Sequence, residues 1–251
     1  IRPLAVMLVQ KLLKTDDAPI KRVELHLHSN MSTMDGMNGS ADLAKLAHHW
    51  GHRAMAITDH GVVQGFPDAM YAKKVIVITD ELAEYPLTGW SIPEIYMDYV
   101  VQIDAIGDPA GIVSGTTRMT RNPVALVMAQ TAARVIQNSG LLRDGFSFQT
   151  GAGGATLATA MYLKQIMLRE QIHGSYAQGG ITGYLVDMLN EGCFEALLDV
   201  QCFDLKAVES IRTNPKHMEV SATQYAGVSG KSAGVDNLDV VLLGATQVDL
   251  D

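Results

Sequence analysis

The strongest constraint on the fold is an alternation of apolar strand patterns with amphipathic helix patterns from Lys74 to the end of the chain. Short apolar segments typical of buried strands are KVIVITD, YVVQIDAIG, FSFQT, ALLDVQ and LDVVLLGATQVDL. Segments with apolar residues at helical spacing lie between them. Because alternating strands and helices build a parallel sheet covered by helices, we predict an α/β fold with a mostly parallel sheet and flanking helices.

Local signals indicate where the helices begin and end. Asn122 is a favoured N-cap residue and Pro123 a favoured first helical residue, so a helix is predicted from there to Gly140. A second helix is predicted over residues 155–171. Residues 179–183, which include three glycines, are predicted to form a loop before a further helix.

Composition places the chain among globular proteins. Of its 251 residues, 47% are hydrophobic and 18% are charged, which is unlike a disordered chain. No apolar run approaches the roughly 18 residues of a membrane-spanning helix. Cys193 and Cys202 have no CxxC spacing, so they are predicted to be core thiols of a cytoplasmic protein.

Charge is distributed unevenly along the chain. Residues 1–73 carry eight Lys and Arg against seven Asp and Glu, whereas residues 74–251 carry eleven against twenty. The acidic segment would repel a phosphate backbone, so nucleic-acid binding is not expected of it. We therefore predict a boundary at Lys73–Lys74. The predicted parts are a helical leader over 1–20, a first segment over 21–73 and a second segment over 74–251.

The first segment is rich in histidine, with six of the eight histidines between His26 and His60. VELHLHS alternates apolar and polar residues like a strand, which places His26 and His28 on one face, where two imidazoles can chelate a metal ion. Asp35 follows in a polar loop, and the predicted strand RAMAITDH ends in Asp59 and His60. An isolated HxH pair is more often structural than metal-binding. The HxH pair together with Asp35 and the strand that ends in Asp59 and His60 is a more specific indication of a metal site.

Residues 21–72, from KRVELHLHSNMSTMDG to WGHRAMAITDHGVVQGFPDAMYA, resemble the start of the PHP domain of the Gram-positive-type replicative DNA polymerase III alpha chain. The resemblance implies a partial PHP-like β/α segment that holds zinc or manganese, in which Asp59 orients an imidazole. The metal ligands carried over are His26, His28, Asp35 and His60. A metal-dependent phosphoesterase or a polymerase accessory module is accordingly one alternative function.

The main chemical feature of the second segment is the glycine-rich turn at residues 151–154. Glycine lets backbone N–H groups approach a ligand closely beside a helix N-terminus, where they can hold a phosphate or stabilise an oxyanion. The alternative is plain tight packing of a strand against a helix. The loop SGTTR offers Thr116, Thr117 and Arg118, which could clamp a carboxylate or phosphate, or form an ordinary capped loop.

Residues 74–251 resemble the citrate lyase alpha chain, the citrate CoA-transferase subunit. Four blocks carry the resemblance: DPAGIVSGTTRMTRNPVAL, DGFSFQTGAGGA, AQGGITGYLVDMLNEGCFEALLDVQCFDL and VVLLGATQVDLD. It implies a truncated CoA-transferase-like α/β fold that exchanges an acetyl thioester for a citryl thioester on citrate. Coenzyme A or an acyl-carrier thioester would be the co-substrate.

The same resemblance assigns site residues and partners. Catalytic glycines lining the thioester site would be Gly151, Gly153 and Gly154. Substrate-binding residues would be Thr116, Thr117 and Arg118, which meet citrate carboxylates, with Gly179 and Gly180 facing the substrate pocket. Partners would be the citrate lyase beta and acyl-carrier subunits, while self-association stays open.

A glutamate nucleophile, used by many related transferases, is not evident. Glu191 and Glu195 are expected at the surface, and a mixed-anhydride route with citrate as the nucleophile needs no such glutamate. The simplest account of the whole sequence is a chimera joined near Lys73–Lys74. An α/β scaffold that has lost both chemistries is the remaining alternative.

Limited trypsin digestion of the native chain, followed by mass spectrometry, tests the predicted boundary. Arg53, Lys73 and Lys74 supply cleavage sites around it. We expect a protected fragment that begins near Val75, because the transferase-like segment would fold alone. Protection of the whole chain would contradict this boundary and mean that both segments share one core.

Overall fold

A computed structural model of the chain describes residues 14–32, 36–59, 65–82, 94–108, 118–151, 153–227 and 234–245. The chain divides into two compact units, Ile1–Asp59 and His60–Asp251. The predicted leader lies mostly outside the described residues, and the predicted boundary at Lys73–Lys74 falls within the second unit. No helix among the described residues is long and apolar enough to cross a membrane.

The first unit is built on two extended segments that run parallel. Glu24 pairs with Met55, and the N–H of Thr58 donates to the carbonyl of Leu27 at 2.9 Å. Helix α1 (Ser40–His49) connects the two segments, and Gly51 follows it with a φ of 78°, as predicted for a helix end. The N-cap is Gly39 rather than Ser40, so the helix begins one residue earlier than predicted.

The second unit opens with a small parallel sheet. Helix α2 (Phe66–Ala69) precedes strand β1 (Ile76–Thr79), which pairs in parallel with strand β2 (Tyr99–Gln102) after a 3₁₀ turn at Glu94–Tyr96. Both strands were predicted. β2 ends at Gln102, earlier than the apolar pattern predicted.

The main sheet of the second unit has five parallel strands within the described residues. Its strands are β3 (Ser147–Thr150), β4 (Gly174–Ile181), β5 (Phe194–Cys202), β6 (His217–Glu219) and β7 (Val240–Leu242), in the order β6-β5-β4-β3-β7. Its helices are α3 (Pro123–Asn138), α4 (Gly154–Glu170), α5 (Gly183–Asn190), α6 (Leu205–Thr213) and α7 (Ala222–Ala226), with a 3₁₀ turn at Gly234–Asn237. The predicted α/β fold with a parallel sheet is confirmed.

The core lies between this sheet and α4, α5 and α6. Phe148 and Phe194 stack with ring centroids 6.3 Å apart, and Phe146 packs beside both. Each such buried side chain stabilises the fold by about 1.5–3 kcal/mol. Cys193 and Cys202 are buried as predicted, and burial raises the pKa of both thiols.

The glycines at 179 and 180 are a correction to the predicted loop. Strand β4 continues through them to Ile181, and the register with β5 shifts between Gly179 and Gly180. Gly179 has a φ of 115°, a conformation that favours glycine, so these residues form a β-bulge rather than a turn. The caps of α3 are confirmed: Asn122 Oδ1 accepts from the N–H of Val124 at 2.9 Å.

Candidate active site

The carboxyl ends of the parallel strands meet at one edge of the main sheet. Gly151, Thr182 and Phe203 follow directly after β3, β4 and β5. In open α/β sheets ligands bind at this edge, because the connecting loops and the helix N-termini converge there. We call it the carboxyl edge.

The glycine-rich turn at this edge is tied down by hydrogen bonds. The N–H of Gly151 donates to the carbonyl of Leu242 at 3.0 Å, and Thr156 Oγ1 lies 2.6 Å from the carbonyl oxygens of both Gly151 and Gly153. Gly153 is the extended N-cap of α4 and makes no side-chain cap. Among the described residues no N-cap side chain occupies the first N–H groups of this 17-residue helix, so these groups can donate to an anion.

The arginine-bearing segment lies directly against this turn. The N–H of Thr120 donates to the carbonyl of Gly154 at 3.1 Å. A Cβ on Gly154 would lie 2.7 Å from the carbonyl oxygen of Arg118, so only glycine permits this approach. The structure thus brings predicted residues Arg118 and Gly154 together, while Thr116 and Thr117 lie outside the described residues.

A cavity of about 660 Å³ opens beside this contact. Its described lining residues are Arg118, Met119, Thr120 and Arg121. The volume is within the usual range for small-molecule sites, and two guanidinium groups suit an anion. Sequence reasoning singled out Arg118 but missed Arg121, although the TTRMTR pattern carries both.

The predicted substrate residue Gly180 is closely covered. The ring of Phe203 occupies the space where a Cβ on Gly180 would lie, so the absence of a side chain is what admits this ring. Gly179 faces Gln149, whose Cγ lies 3.6 Å from the position of a Cβ. The substrate-binding role of these two glycines stays a prediction.

The N-termini of α5 and α6 already have a carboxylate. Asp204 accepts from the N–H of Gly183 at 2.7 Å and, through its other oxygen, from the N–H of Ala207 at 2.9 Å. A negative charge at a helix N-terminus satisfies free N–H groups and the helix dipole. Among these three helices, α4 is therefore the one whose N-terminus can best receive an anionic ligand.

A buried polar network under the carboxyl edge was missed from sequence. Asp199 Oδ2 lies 3.0 Å from both His217 Nε2 and Cys202 Sγ, and Asp199 Oδ1 accepts from the N–H of Gln201 at 2.6 Å. His217 Nδ1 contacts Ser210 Oγ at 2.9 Å. The residues of this network come from β5, α6 and β6, and the only local signal is one aspartate within the apolar strand FEALLDVQC.

This Asp199 network shapes the bulge. Asp199 pairs with Gly179, and Gln201 with Gly180, so Val200 is the extra residue on β5. Both Asp199 and His217 are almost fully buried. The carboxylate is stable there because several donors satisfy it, and its bond from the N–H of Gln201 spans the extra residue.

A pair of amides on the other face of the sheet, of which Gln178 is buried and Gln149 is partly exposed, was also missed. Gln149 and Gln178 are opposite each other on β3 and β4, and Gln178 Nε2 donates to Gln149 Oε1 at 3.2 Å. Gln178 is 1% exposed, and its Oε1 has no hydrogen-bond partner among the described residues. Such an unsatisfied acceptor costs about 1–3 kcal/mol.

The glutamates considered as nucleophiles are surface residues, as predicted. Glu191 forms an ion pair with Lys164 at 2.5 Å and Glu195 is exposed. Neither Glu191 nor Glu195 is among the described residues that line the cavity at Arg118 and Arg121.

In the first unit, the rings of His26 and His28 lie side by side with centroids 4.6 Å apart, as their predicted shared face requires. Asp59 accepts hydrogen bonds from Ser29 and Ser32 at 2.6–2.8 Å, and its role in orienting an imidazole stays a prediction. Asp35 and His60 lie outside the described residues. Among those the structure does describe, no group of three or more His, Cys, Asp or Glu could hold a metal ion.

Together, the fold and the edge define an α/β protein with a candidate anion site where an arginine segment meets a glycine-rich turn. Residues 56–251 match the protein-family model "Citrate lyase, alpha subunit (CitF)". The chain therefore belongs to the citrate lyase alpha subunit family.

Individual relatives agree with this assignment. The chain is 49% identical over 182 residues to the citrate lyase alpha chain of Haemophilus influenzae and 47% identical to that of Escherichia coli, covering 72% of this chain and 36% of each relative. A crystal structure described as the alpha subunit of citrate lyase in complex with citrate, from Streptococcus mutans, superposes with a TM-score of 0.65. It is 43% identical and covers 76% of this chain and 38% of that chain. The chain thus spans just over a third of the length of these relatives.

The resemblance of the first segment is confirmed as well. Residues 24–82 match the PHP domain model. The chain is 54% identical over 69 residues to the PolC-type DNA polymerase III of Pediococcus pentosaceus, which is 28% of this chain and 5% of that protein. The two family matches overlap over residues 56–82, and the predicted junction at Lys73–Lys74 lies within the overlap.

Replacing His217 tests the Asp199 network. We expect His217→Ala to lower the free energy of unfolding by about 3–5 kcal/mol, because it leaves the buried Asp199 carboxylate without its imidazole partner. Urea denaturation followed by circular dichroism measures the change. Arg212→Ala removes exposed ion pairs to Glu81 and Glu209 and should cost less than about 1 kcal/mol. Equal, small effects of both substitutions would contradict the role given to the network.

Proposed function

We propose that this chain binds citrate and an acyl thioester as a citrate CoA-transferase of the citrate lyase alpha type. The observation that carries the proposal is the contact of the arginine segment with the N-terminus of α4 through Gly154. Arg118 and Arg121 line the cavity, and the backbone of the same segment contacts the first residue of α4. That combination suits a ligand with several carboxylates.

Each group has a distinct role in this proposal. Arg118 and Arg121 hold citrate carboxylates, with Thr116 and Thr117 beside them. The N–H groups of Gly153 and Gly154 donate to the oxyanion that develops on the thioester carbonyl. Gly151 lines the thioester site and keeps its own N–H in the sheet, where it bonds Leu242.

The exchange itself needs no protein nucleophile. A citrate carboxylate attacks the acetyl thioester carbonyl, and collapse of the tetrahedral intermediate breaks the C–S bond to give a mixed anhydride and a free thiolate. The thiolate then attacks the citryl carbonyl of the anhydride and expels acetate. The products are citryl thioester and acetate, and the surface positions of Glu191 and Glu195 are compatible with this route.

Relatives support the wider setting of the proposal. The citrate bound in the Streptococcus mutans structure favours citrate as the substrate here. By family, the beta and acyl-carrier subunits of citrate lyase would be partners, with coenzyme A or the carrier as thioester donor. We also propose a cytoplasmic location, with residues 74–251 as the transferase part.

Isothermal titration of the full chain with citrate and, separately, with acetyl-CoA tests this function. We expect both to bind, and Arg118→Met to weaken citrate binding about 10- to 100-fold, because a charge-assisted hydrogen bond contributes about 1.5–3 kcal/mol. Arg134→Met on α3 is the matched control and should leave citrate affinity unchanged. If neither compound binds to the wild-type chain at high micromolar protein, the transferase proposal is wrong and an inactive scaffold is favoured.

A metal-binding role for the first unit is a second proposal, favoured by the adjacent rings of His26 and His28. The ligands would be those named by resemblance, His26, His28, Asp35 and His60. After dialysis, elemental analysis should find close to one zinc or manganese ion per chain, and the double variant His26→Ala/His28→Ala should lose it. His48→Ala, in α1, is the control. Less than about a tenth of an ion per wild-type chain would exclude a tightly bound metal.

A further inference from the structure

The two amides on the sheet face opposite α4 are unusual for their position. Parallel sheets are normally covered by apolar side chains on both faces. Here Gln149 and Gln178 lie in register at the centre of the main sheet, on the face that also carries Ser147 and Tyr176. We call Gln149 and Gln178 the amide pair.

Their polar neighbours on this face have structural partners. Ser147 Oγ donates to the carbonyl of Asn237 at 2.6 Å, and Tyr176 Oη donates to the carbonyl of Gly234 at 2.6 Å. Gln178 is different, because its Oε1 is buried against Gly234 without a hydrogen bond among the described residues. Two apolar side chains of similar shape would be about as stable at the amide pair, or more so. Stability of the sheet therefore does not explain these amides.

The hydrogen bonds of the amide pair have a direction. Gln178 Nε2 donates to Gln149 Oε1, so the Nε2 group of Gln149 can donate to other acceptors. Tyr225 of α7 is next to Gln149 and receives its hydrogen bond. A hydroxyl that accepts one hydrogen bond still has its own proton to donate. Burial raises the pKa of Tyr225, so that proton is retained at neutral pH.

The chain of donors ends close to the proposed thioester site. Gln149 precedes Gly151 by two residues on β3, a separation of about 6.6 Å along a strand. Gln149 and Tyr225 are partly exposed, whereas Gln178 is buried beneath them. Gly179 has no side chain, which leaves room for Gln149 at the bulge. A ligand that extends from Gly151 over this face would therefore meet Gln149, with Tyr225 next to it.

We propose that Gln149 and Tyr225 bind an amide carbonyl of the pantetheine arm of the acyl thioester, and that Gln178 is a positioning residue that orients Gln149. A pantetheine arm fits because its first amide follows the sulfur after a two-carbon linker. Coenzyme A and a carrier-bound prosthetic group share this arm. This inference rests on the proposed function and adds the group that recognises the donor.

The test compares the full-length wild-type chain with Gln149→Met, Gln178→Met and Tyr225→Phe. The probes are acetyl-CoA, pantetheine and citrate, titrated by calorimetry. Each variant should weaken acetyl-CoA and pantetheine binding about three- to tenfold and leave citrate binding unchanged. Gln178→Met should also keep or raise the melting temperature, because it removes the unsatisfied oxygen. A residue with a purely structural role would not combine weaker binding with equal or greater stability.

Controls separate this inference from the proposed function. Gln137→Met on α3 removes a surface hydrogen bond to Glu170 and should change neither binding nor stability appreciably. If the wild-type chain binds no acetyl-CoA, the proposed function and this inference both fail. If acetyl-CoA binds equally to all variants, or the variants weaken acetyl-CoA but not pantetheine, the inference is overturned and the transferase proposal stands. Binding of pantetheine alone would show that the chain recognises the pantetheine arm. Tighter binding of acetyl-CoA than of pantetheine would show that the nucleotide part makes further contacts.

Discussion

Parallel pairing of β3, β4 and β5 is the constraint on which the rest of the main unit depends. Parallel neighbours cannot be joined by tight hairpins, so each strand returns through a helix, and the two faces become chemically distinct. One face is packed with Phe148, Leu197 and the helices. The other carries the amide pair. The register of these parallel strands fixes the position of every candidate ligand group at the carboxyl edge.

Two kinds of buried polarity support that edge, and they differ physically. The Asp199 carboxylate lies in the interior with its hydrogen-bonding capacity used, which makes it rigid and costly to disturb. The Gln178 carbonyl lies in the interior with its capacity unused. A satisfied group of the first kind is expected of a structural element. An unsatisfied group of the second kind is characteristic of sites where function has been kept at the expense of stability.

Much of the fold could be predicted from sequence because its signals are local. Asn122 caps α3 by bonding N–H groups two and three residues away, and the glycines at 51 and 140 adopt positive φ after a helix. Apolar runs of a few residues likewise marked β1, β3 and β5. The glycines at 179 and 180 misled the prediction, since a turn and a bulge use the same conformational freedom.

The site was less predictable, because its parts meet only through the folded sheet. Arg118 and Gly154 are far apart in sequence, and nothing local indicates that their backbones touch. His217 carries no motif, and its role depends on an aspartate in another strand. The glycine-rich turn and Arg118 could be singled out from their local chemistry, but not Arg121 or the amide pair. Arg121 and the amide pair can be recognised only in the folded structure, because their importance depends on the residues that lie next to them in space.

The contact between Gly180 and Phe203 has a consequence for how this domain can change during evolution. Because the aromatic ring fills the volume that any side chain at position 180 would need, a methyl group there cannot be accepted until residue 203 becomes smaller. Neither substitution is neutral alone: one creates a clash and the other a void. A change at either position is therefore expected to require a change at the other.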